Sequence, residues 1–438
     1  MAQPSRTWRT LAVVGAGALA LAACGSNDSA GTAAPSSSSS SSAGSSAPTG
    51  GDTADGVLTI GSVLPQTGSL QTLGPPEFAG IKLALTEINN AGGVLGKPVA
   101  YIEGDSGDTT QDIANPTVDR LLSQKVDAII GAASSGVSKN IIDKIVNAGV
   151  IQFSPANTAP DFTDYPDKGL YFRTAPSDVL QGRVLGETIL ADGFTSVGIL
   201  AKQDPYGVGL AANIKKAIEA GGGSVTPGEP VYYPEGEKNF TSYVNAIKAA
   251  DPEAIVVLGF DESASVVQAL QAAGIGQGTK QLYFVDGNLT STNLAALPPG
   301  TLDGARGTQP ALDLSADLRQ KLVSAYGPLT SFSYAPESYD AVTTIALAAT
   351  VAKSDAGADI AKALPDVTRG GTKCTSFVTC TDLLKKGTTD IDYDGASGPI
   401  EFSDKGDPTQ ASIGVYTFDA ANKYDGGKTE FVTGKLDS

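Results

Sequence analysis

The sequence predicts an α/β protein of two lobes, each built on a parallel-core sheet, with a cleft between them. Three observations predict it. From Val57 onward, short apolar runs alternate with amphipathic stretches of helix length, the periodicity of consecutive βαβ units. The same alternation starts again near Ser177, so two similar α/β units stand in tandem. The part able to fold, about 380 residues, exceeds what one hydrophobic core usually serves.

In the first unit, strands are expected at 57–64, 99–103, 127–130 and 150–153, with helices at 77–90, 112–123 and 139–148 between them. Gly92 and Gly93 end the first helix and Gly149 the third, as glycine commonly does. The third helix carries Ile141, Ile142, Ile145 and Val146 on one face. The second unit reads as helix 179–192, strand 196–201, helix 209–220, strand 224–232, helix 239–250, strand 254–258, helix 263–273 and strand 282–285. Beyond residue 307 the pattern turns helix-rich (316–326, 338–353, 359–364) and closes with a strand at 413–418. Inter-lobe crossings are expected near Ser177, Thr308 and Ser412. Lobe 1 is then 57–176 plus 308–411, and lobe 2 is 177–307 plus 412–438. Several connections between rigid lobes favour hinge closure about a ligand.

Residues 1–24 have a basic start (Arg6, Arg9), an apolar stretch and the run LAAC ending at Cys24, which reads as an export signal. Small residues leading to a cysteine resemble the bacterial lipoprotein box, in which Cys24 is lipidated and becomes the first residue; the other reading is an ordinary secretory signal with an incidental cysteine. Residues 25–55 are nearly all Ser, Ala, Gly, Thr and Pro, a composition unable to bury enough apolar surface to order itself, so a flexible tether is expected. Later stretches lack the roughly 18 consecutive apolar residues of a membrane span. The formal charge of −17 repels nucleic acid phosphates, which excludes a nucleic acid partner. Cys374 and Cys380 in an exported chain are expected to form a disulfide; the alternative, a metal pair, would need acidic ligands from elsewhere. The chain contains no histidine, which removes every imidazole-based catalytic scheme.

The loops after strands 127–130 and 150–153 carry the strongest binding signal, because ligands of open α/β sheets sit at the carboxyl ends of the strands. The first, 131–136 (GAASSG), is small enough for a ligand to approach backbone N–H groups where a helix starts, which favours an acid group. The second, 154–158 (SPANT), offers hydroxyl and carbonyl acceptors. Residues 131–138 have two spaced glycines before a helix but Val137 stands where a phosphate loop needs lysine, and no G-x-G-x-x-G follows a predicted strand. Adjacent acids such as Asp261 and Glu262 fit loop charges or caps better than glycosidase chemistry, so an enzyme is not expected. Asp286 directly follows strand 282–285 and reads either as a partner for a ligand ammonium or as a turn residue of Asp-Gly. Tyr206 and Phe260 also follow strands and either close over a ligand or pack on their own lobe.

From about Val57 to the end the chain resembles the type I periplasmic binding proteins of ABC importers, particularly the leucine/isoleucine/valine-binding family. The matching stretches are GSVLPQTG at 61–68, EINNAGG at 87–93, SPANT at 154–158, DPYG at 204–207 and GPIEF at 398–402, in the family's order and spacing. The resemblance implies two Rossmann-like lobes joined by a three-crossing hinge, with no cofactor and no metal. It also implies site residues. Ser135 would hold an amino acid carboxylate through its hydroxyl and N–H, with Val137 nearby at the same helix start. The Ala156 carbonyl and Thr158 hydroxyl would receive the ammonium. Asp286 would pair with that ammonium where the branched-chain proteins have a longer Glu. Tyr206 and Phe260 would stand for second-lobe tyrosines, and Leu73 replaces an aromatic that contacts the ligand side chain.

The expectation is therefore a monomeric, lipid-anchored extracytoplasmic receptor that delivers an amino acid to an ABC permease and its ATPase. The alternatives are a sensing module for a signalling partner, or a binder of an amide, urea-like solute or short carboxylic acid.

Overall fold

The computed structural model describes residues 54–436 apart from Asp425. The expected signal, the lipidation site Cys24 and nearly all of the expected tether lie outside the described residues. Near the start of the described residues the buried Asp355 carboxylate accepts the N–H groups of Asp55, Gly56 and Val57 at 3.0, 2.6 and 2.9 Å.

The first sheet is built by β1 (Thr59–Val63), α1 (Gly74–Asn90), β2 (Ala100–Ile102), α2 (Ala114–Ser123), β3 (Ala128–Gly131), α3 (Ser135–Asn147), β4 (Ile151–Ser154) and β5 (Tyr171–Arg173). Its order is β2-β1-β3-β4-β5, parallel throughout. The second begins with α4 (Asp178–Ala191), β6 (Ser196–Lys202), α5 (Pro205–Ala220), β7 (Ser224–Val225), β8 (Val231–Tyr233), α6 (Thr241–Ala250), β9 (Ala254–Leu258), α7 (Ser263–Ala272), β10 (Gln281–Phe284), α8 (Asp286–Leu289), α9 (Thr292–Ala295) and β11 (Arg306–Pro310). The chain then returns to pack on α1 with α10 (Ala316–Tyr326) and α11 (Ala335–Ala352), followed by α12 (Gly357–Ala363), β12 (Thr372–Cys374), α13 (Phe377–Lys385), β13 (Ile391–Gly395) and β14 (Gly398–Pro399). Finally β15 (Gln410–Thr417) and β16 (Glu430–Lys435) add antiparallel strands to the second sheet, whose order is β16-β15-β11-β10-β9-β6-β7 with β8 also on β6.

The chain passes between the two bodies in segments 174–177, 311–315 and 400–409. Each sheet has its own apolar centre, and the cluster on the second sheet also takes in Leu70, Leu73, Ala133 and Ala156 from loops of the first body. One apolar cluster joins Ile60, Ile130 and Phe153 of the first sheet to Val342, Ile345 and Phe402 of the later helices and strands, while Ile199, Val256, Tyr283 and Val285 centre another on the second sheet.

Helices α1, α3, α5 and α11 each begin about one turn before the expected start. Apolar periodicity shows only where side chains enter a core. The first turns instead hold Pro75 and Pro76, Ser135 and Gly136, Pro205, or Pro336, and are set by caps such as Ser134 and Asp204, whose side chains accept Val137 N–H and Gly207 N–H. The expected strand 224–232 is two short strands, because Pro227 and Gly228 interrupt it. Strand β5, the short sheet β12-β13-β14 and strand β16 were not anticipated. Cys374 and Cys380 form the expected disulfide, linking β12 to α13.

Arg173, fully buried at the end of β5, ties the last crossing to the first sheet: Nε and Nη2 donate to the two Asp407 carboxylate oxygens at 2.6 and 2.9 Å, and Nη1 donates to Ala159 O at 2.8 Å. Removing one partner of a buried ion pair leaves an uncompensated charge. We expect Asp407→Asn to cost about 3 kcal/mol of stability, read as a lower urea midpoint; an unchanged midpoint would mean that the crossing is not held by this pair.

Candidate functional site

Because the strands of each sheet core are parallel, the loops after β1, β3 and β4 share one edge of the first sheet, and those after β6, β9 and β10 share one edge of the second. The two edges meet. A Cβ on Gly209 of α5 would lie 2.5 Å from Pro160 Cδ of the other body, so only glycine allows this approach. The hydroxyls of Thr72 and Thr290 are 3.3 Å apart across the same gap.

The two hydroxyl-rich loops are stitched into one surface. Ser154 Oγ donates to Ala132 O at 2.7 Å and accepts Asn157 N–H at 2.9 Å, while Asn157 Nδ2 donates to Ala132 O and Ala133 O at 3.0 and 2.8 Å. Ser135, the first residue of α3, is buried and its Oγ accepts Ala159 N–H at 3.4 Å. The helix cap occupies Val137 N–H through Ser134 Oγ, leaving the first-turn N–H groups of Ser135 and Gly136 without an upstream helical carbonyl. The Val137 side chain packs with Val63, Ala132 and Ile141 in a core. Ala156 is buried in the apolar cluster that also holds Leu73, Tyr206, Phe260 and Tyr334. Thr158 is buried, with its hydroxyl beside the carboxyl of Asp178 at the start of α4.

On the facing edge Asp286 opens α8. Its Oδ1 accepts from Tyr206 Oη at 2.6 Å and Gln181 Nε2 at 2.8 Å, and its Oδ2 accepts from Tyr334 Oη at 2.6 Å. A carboxylate has about four acceptor positions. Three are filled, and one remains for a donor on a ligand. Tyr206 stacks on Phe260 with ring centres 5.6 Å apart, and Lys202 Nζ lies 4.2 Å from the Phe260 ring centre while bonding Glu235 at 2.6 Å.

Asp178, Gln181 and Tyr334 escape the sequence reading. Asp178 starts α4 and reads as a helix cap; Gln181 lies inside a helix; Tyr334 follows a coil with no strand before it. Asp178 is fully buried, its backbone N–H donates to Thr158 O at 2.7 Å, and its carboxyl lies beside the Thr158 hydroxyl, which ties it to the second loop. Burial first, then the negative charge of Asp286, hold its carboxyl well above the usual range. This places two acids where the bodies meet; the charge of Arg173, itself paired with Asp407, offsets only part of the cost at Asp178. The hydroxyls of Ser69, Thr109 and Thr308 are likewise buried without a hydrogen-bond partner among the described residues. Among the described residues no group of three or more His, Cys, Asp or Glu can hold a metal, and no helix is long and apolar enough to cross a membrane.

Two sheet-centred bodies meeting over paired polar loops, with bonding groups at both edges, define a protein that encloses a small solute. The chain belongs to the periplasmic binding protein family, whose pattern it matches over residues 57–423. It is a substrate-binding protein and not an enzyme, and the family is extracytoplasmic. The chain is similar to Leu/Ile/Val-binding protein homolog 1 of Brucella abortus (strain 2308), 28% identical over 323 residues that cover 72% of this chain and 84% of the relative. It is also similar to Leu/Ile/Val-binding protein homolog 2 of the same strain, 30% identical over 263 residues, 59% and 68% of the two chains. The fold resembles a leucine-binding protein of Thermotoga maritima (TM-score 0.70, 22% identity, 86% of this chain and 98% of that one) and a Streptococcus pneumoniae branched-chain amino acid binding protein in complex with isoleucine (TM-score 0.67, 22% identity, 86% and 100%). A solute-binding protein of R. palustris in complex with benzoate shares it too (TM-score 0.63, 18% identity, 86% and 96%).

Asp178 fixes the sign of one pH dependence. Its pKa is raised on folding, so between the unfolded and folded values the native state holds a proton that the unfolded chain has released, and stability falls with rising pH by up to about 1.4 kcal/mol per unit. Asp178→Asn removes this loss. We expect the variant to gain stability over the parent as pH rises from 4 to 8 in urea titrations without ligand; a difference independent of pH would contradict the buried-acid assignment.

Proposed function

We propose that the protein is the lipid-anchored, extracytoplasmic binding protein of an ABC importer, taking a branched-chain or similar amino acid into the cleft and handing it to the permease. The observation that carries this reading is Asp286, held from three sides by Tyr206, Gln181 and Tyr334 with Asp178 close by. A pair of acids at the meeting of two bodies favours a ligand cation, and an ammonium has three donors for Asp286, Thr158 and the Ala156 carbonyl. The start of α3 suits the opposite end of a zwitterion: Ser135 Oγ and first-turn N–H groups in a helix of 13 residues favour a carboxylate. Leu73, Tyr206 and Phe260 then wall the side chain, and the lobes close by movement at segments 174–177, 311–315 and 400–409. Leu73 gives this wall a flexible aliphatic face in place of an aromatic one, in keeping with an aliphatic ligand.

The anchor belongs to the same reading. A lipid on Cys24 holds the protein at the membrane that carries the permease.

The benzoate complex of the R. palustris neighbour motivates a comparison with a simple acid, which lacks a cation for the Asp178–Asp286 pair. Calorimetric titration of the refolded protein separates the two. We expect leucine to bind and benzoate not to, and Asp286→Asn to weaken leucine by about 30-fold or more, the loss of roughly 2 kcal/mol for a charged hydrogen bond. Benzoate binding that Asp286→Asn leaves unchanged, with no amino acid bound, would overturn the zwitterion reading.

A further inference from the structure

Beside the cleft lies a cavity of about 640 Å³ that the amino acid reading leaves unused. One wall comes from α8, α9 and the hairpin of β15 and β16, the other from the crossing after β11, the loop 330–334 and the first turn of α11. Ser135, Thr158, Tyr206 and Asp286 do not line it. Tyr334 divides the two spaces: its hydroxyl donates to Asp286, and the same residue lines the cavity. The volume falls within the few hundred to about 1,000 Å³ typical of small-molecule sites.

The chemistry of the walls is specific. Phe332, Phe418, Tyr424 and Phe431 supply aromatic surface. Glu337, on the first turn of α11, is among the residues that line the cavity; only 6% of the residue is exposed, and its Oε2 is buried with no partner among the described residues. A buried carboxyl oxygen without a donor is costly unless something bonds it. The charged groups around Glu337 leave it short of donors. Glu77 of α1 is likewise buried and unbonded, and Asp340 stands one turn further along α11. Two cations line the walls, Lys423 in the loop before β16 and Arg319 of α10, whose Nε donates to Leu314 O at 3.2 Å and whose guanidinium lies over the Phe332 ring at 5.1 Å; no ion pair joins either of them to Glu337 among the described residues.

We propose that this cavity is a second small-molecule site, separate from the amino acid cleft, for an amine carried on an apolar or aromatic body. The ammonium donates to Glu337, and the body lies among Phe332, Phe418, Tyr424 and Phe431. Burial, reinforced by Asp340, pushes the Glu337 carboxyl up to about 8, and a bound cation favours its ionised form, as a carboxylate beside an ammonium requires.

Phenethylamine is the probe, titrated calorimetrically into the folded protein and into four variants. Ser331→Trp and Ala295→Trp fill the cavity from opposite walls, the second at an exposed helix position that tolerates a large side chain. Glu337→Gln keeps the shape and removes the charge, and Asp286→Asn reports on the cleft. The expected result is saturable binding to the parent that weakens at least tenfold in Glu337→Gln and in whichever tryptophan variants retain the parent's circular dichroism, with less than twofold change in Asp286→Asn. No saturable binding to the parent overturns the proposal. So does binding that Asp286→Asn abolishes and that Glu337→Gln and the tryptophan variants leave intact, since the probe would then occupy the amino acid cleft.

Discussion

Two carboxyl groups buried where the two bodies meet constrain the rest of the molecule. Asp286 is stabilised by hydroxyl and amide donors alone, and Asp178 has only the Thr158 hydroxyl beside its carboxyl. Natural cores rarely bury such groups unless another interaction repays the cost of removing them from water. The fold supplies everything around them: parallel strands deliver β10 and the 154–158 loop to facing edges, α4 starts at the first crossing and so sets Asp178 between the bodies, and α11 opens with Tyr334 reaching back to Asp286. A cationic group enclosed at that point relieves both acids at once. This is a physical reason for the bodies to close on a ligand rather than stay apart.

The opposite end of the site works by a different principle. At α3 no side-chain charge is needed, because a helix start presents backbone donors and a partial positive charge. The internal bonds of Ser154 and Asn157 serve to hold the two loops in register, so several of the hydroxyl and amide groups that mark this region in the sequence brace it instead of contacting solute. The hydroxyls of Ser135 and Thr158 take no part in those bonds.

The legible part of the sequence was what periodicity writes directly. Consecutive βαβ units, the tandem repeat and most helices could be read because Ile141, Ile145 and their equivalents enter a core at regular spacing. Asp286 could be read because a polar residue directly follows a fully apolar strand. The illegible part depends on contacts between distant segments. Asp178 is indistinguishable in sequence from a helix cap until α4 is seen against the 154–158 loop, and Tyr334 has no local signal because it acts on a residue 48 positions away. Strand β5 is only Tyr171–Arg173, too short for a period-two pattern, and its arginine is buried only because Asp407 arrives from the far end of the chain. Val137, placed by resemblance at the site, turns its side chain into a core, and its N–H is taken by the Ser134 cap.

The most direct measurement is a crystal structure of the protein soaked with leucine. The account predicts the ligand nitrogen about 3 Å from an Asp286 carboxylate oxygen and near the Thr158 hydroxyl, with the ligand carboxylate at the Ser135 end of α3. Leucine seated in the reverse direction, or a cleft in which Asp286 keeps its three internal bonds and touches no ligand, would contradict it.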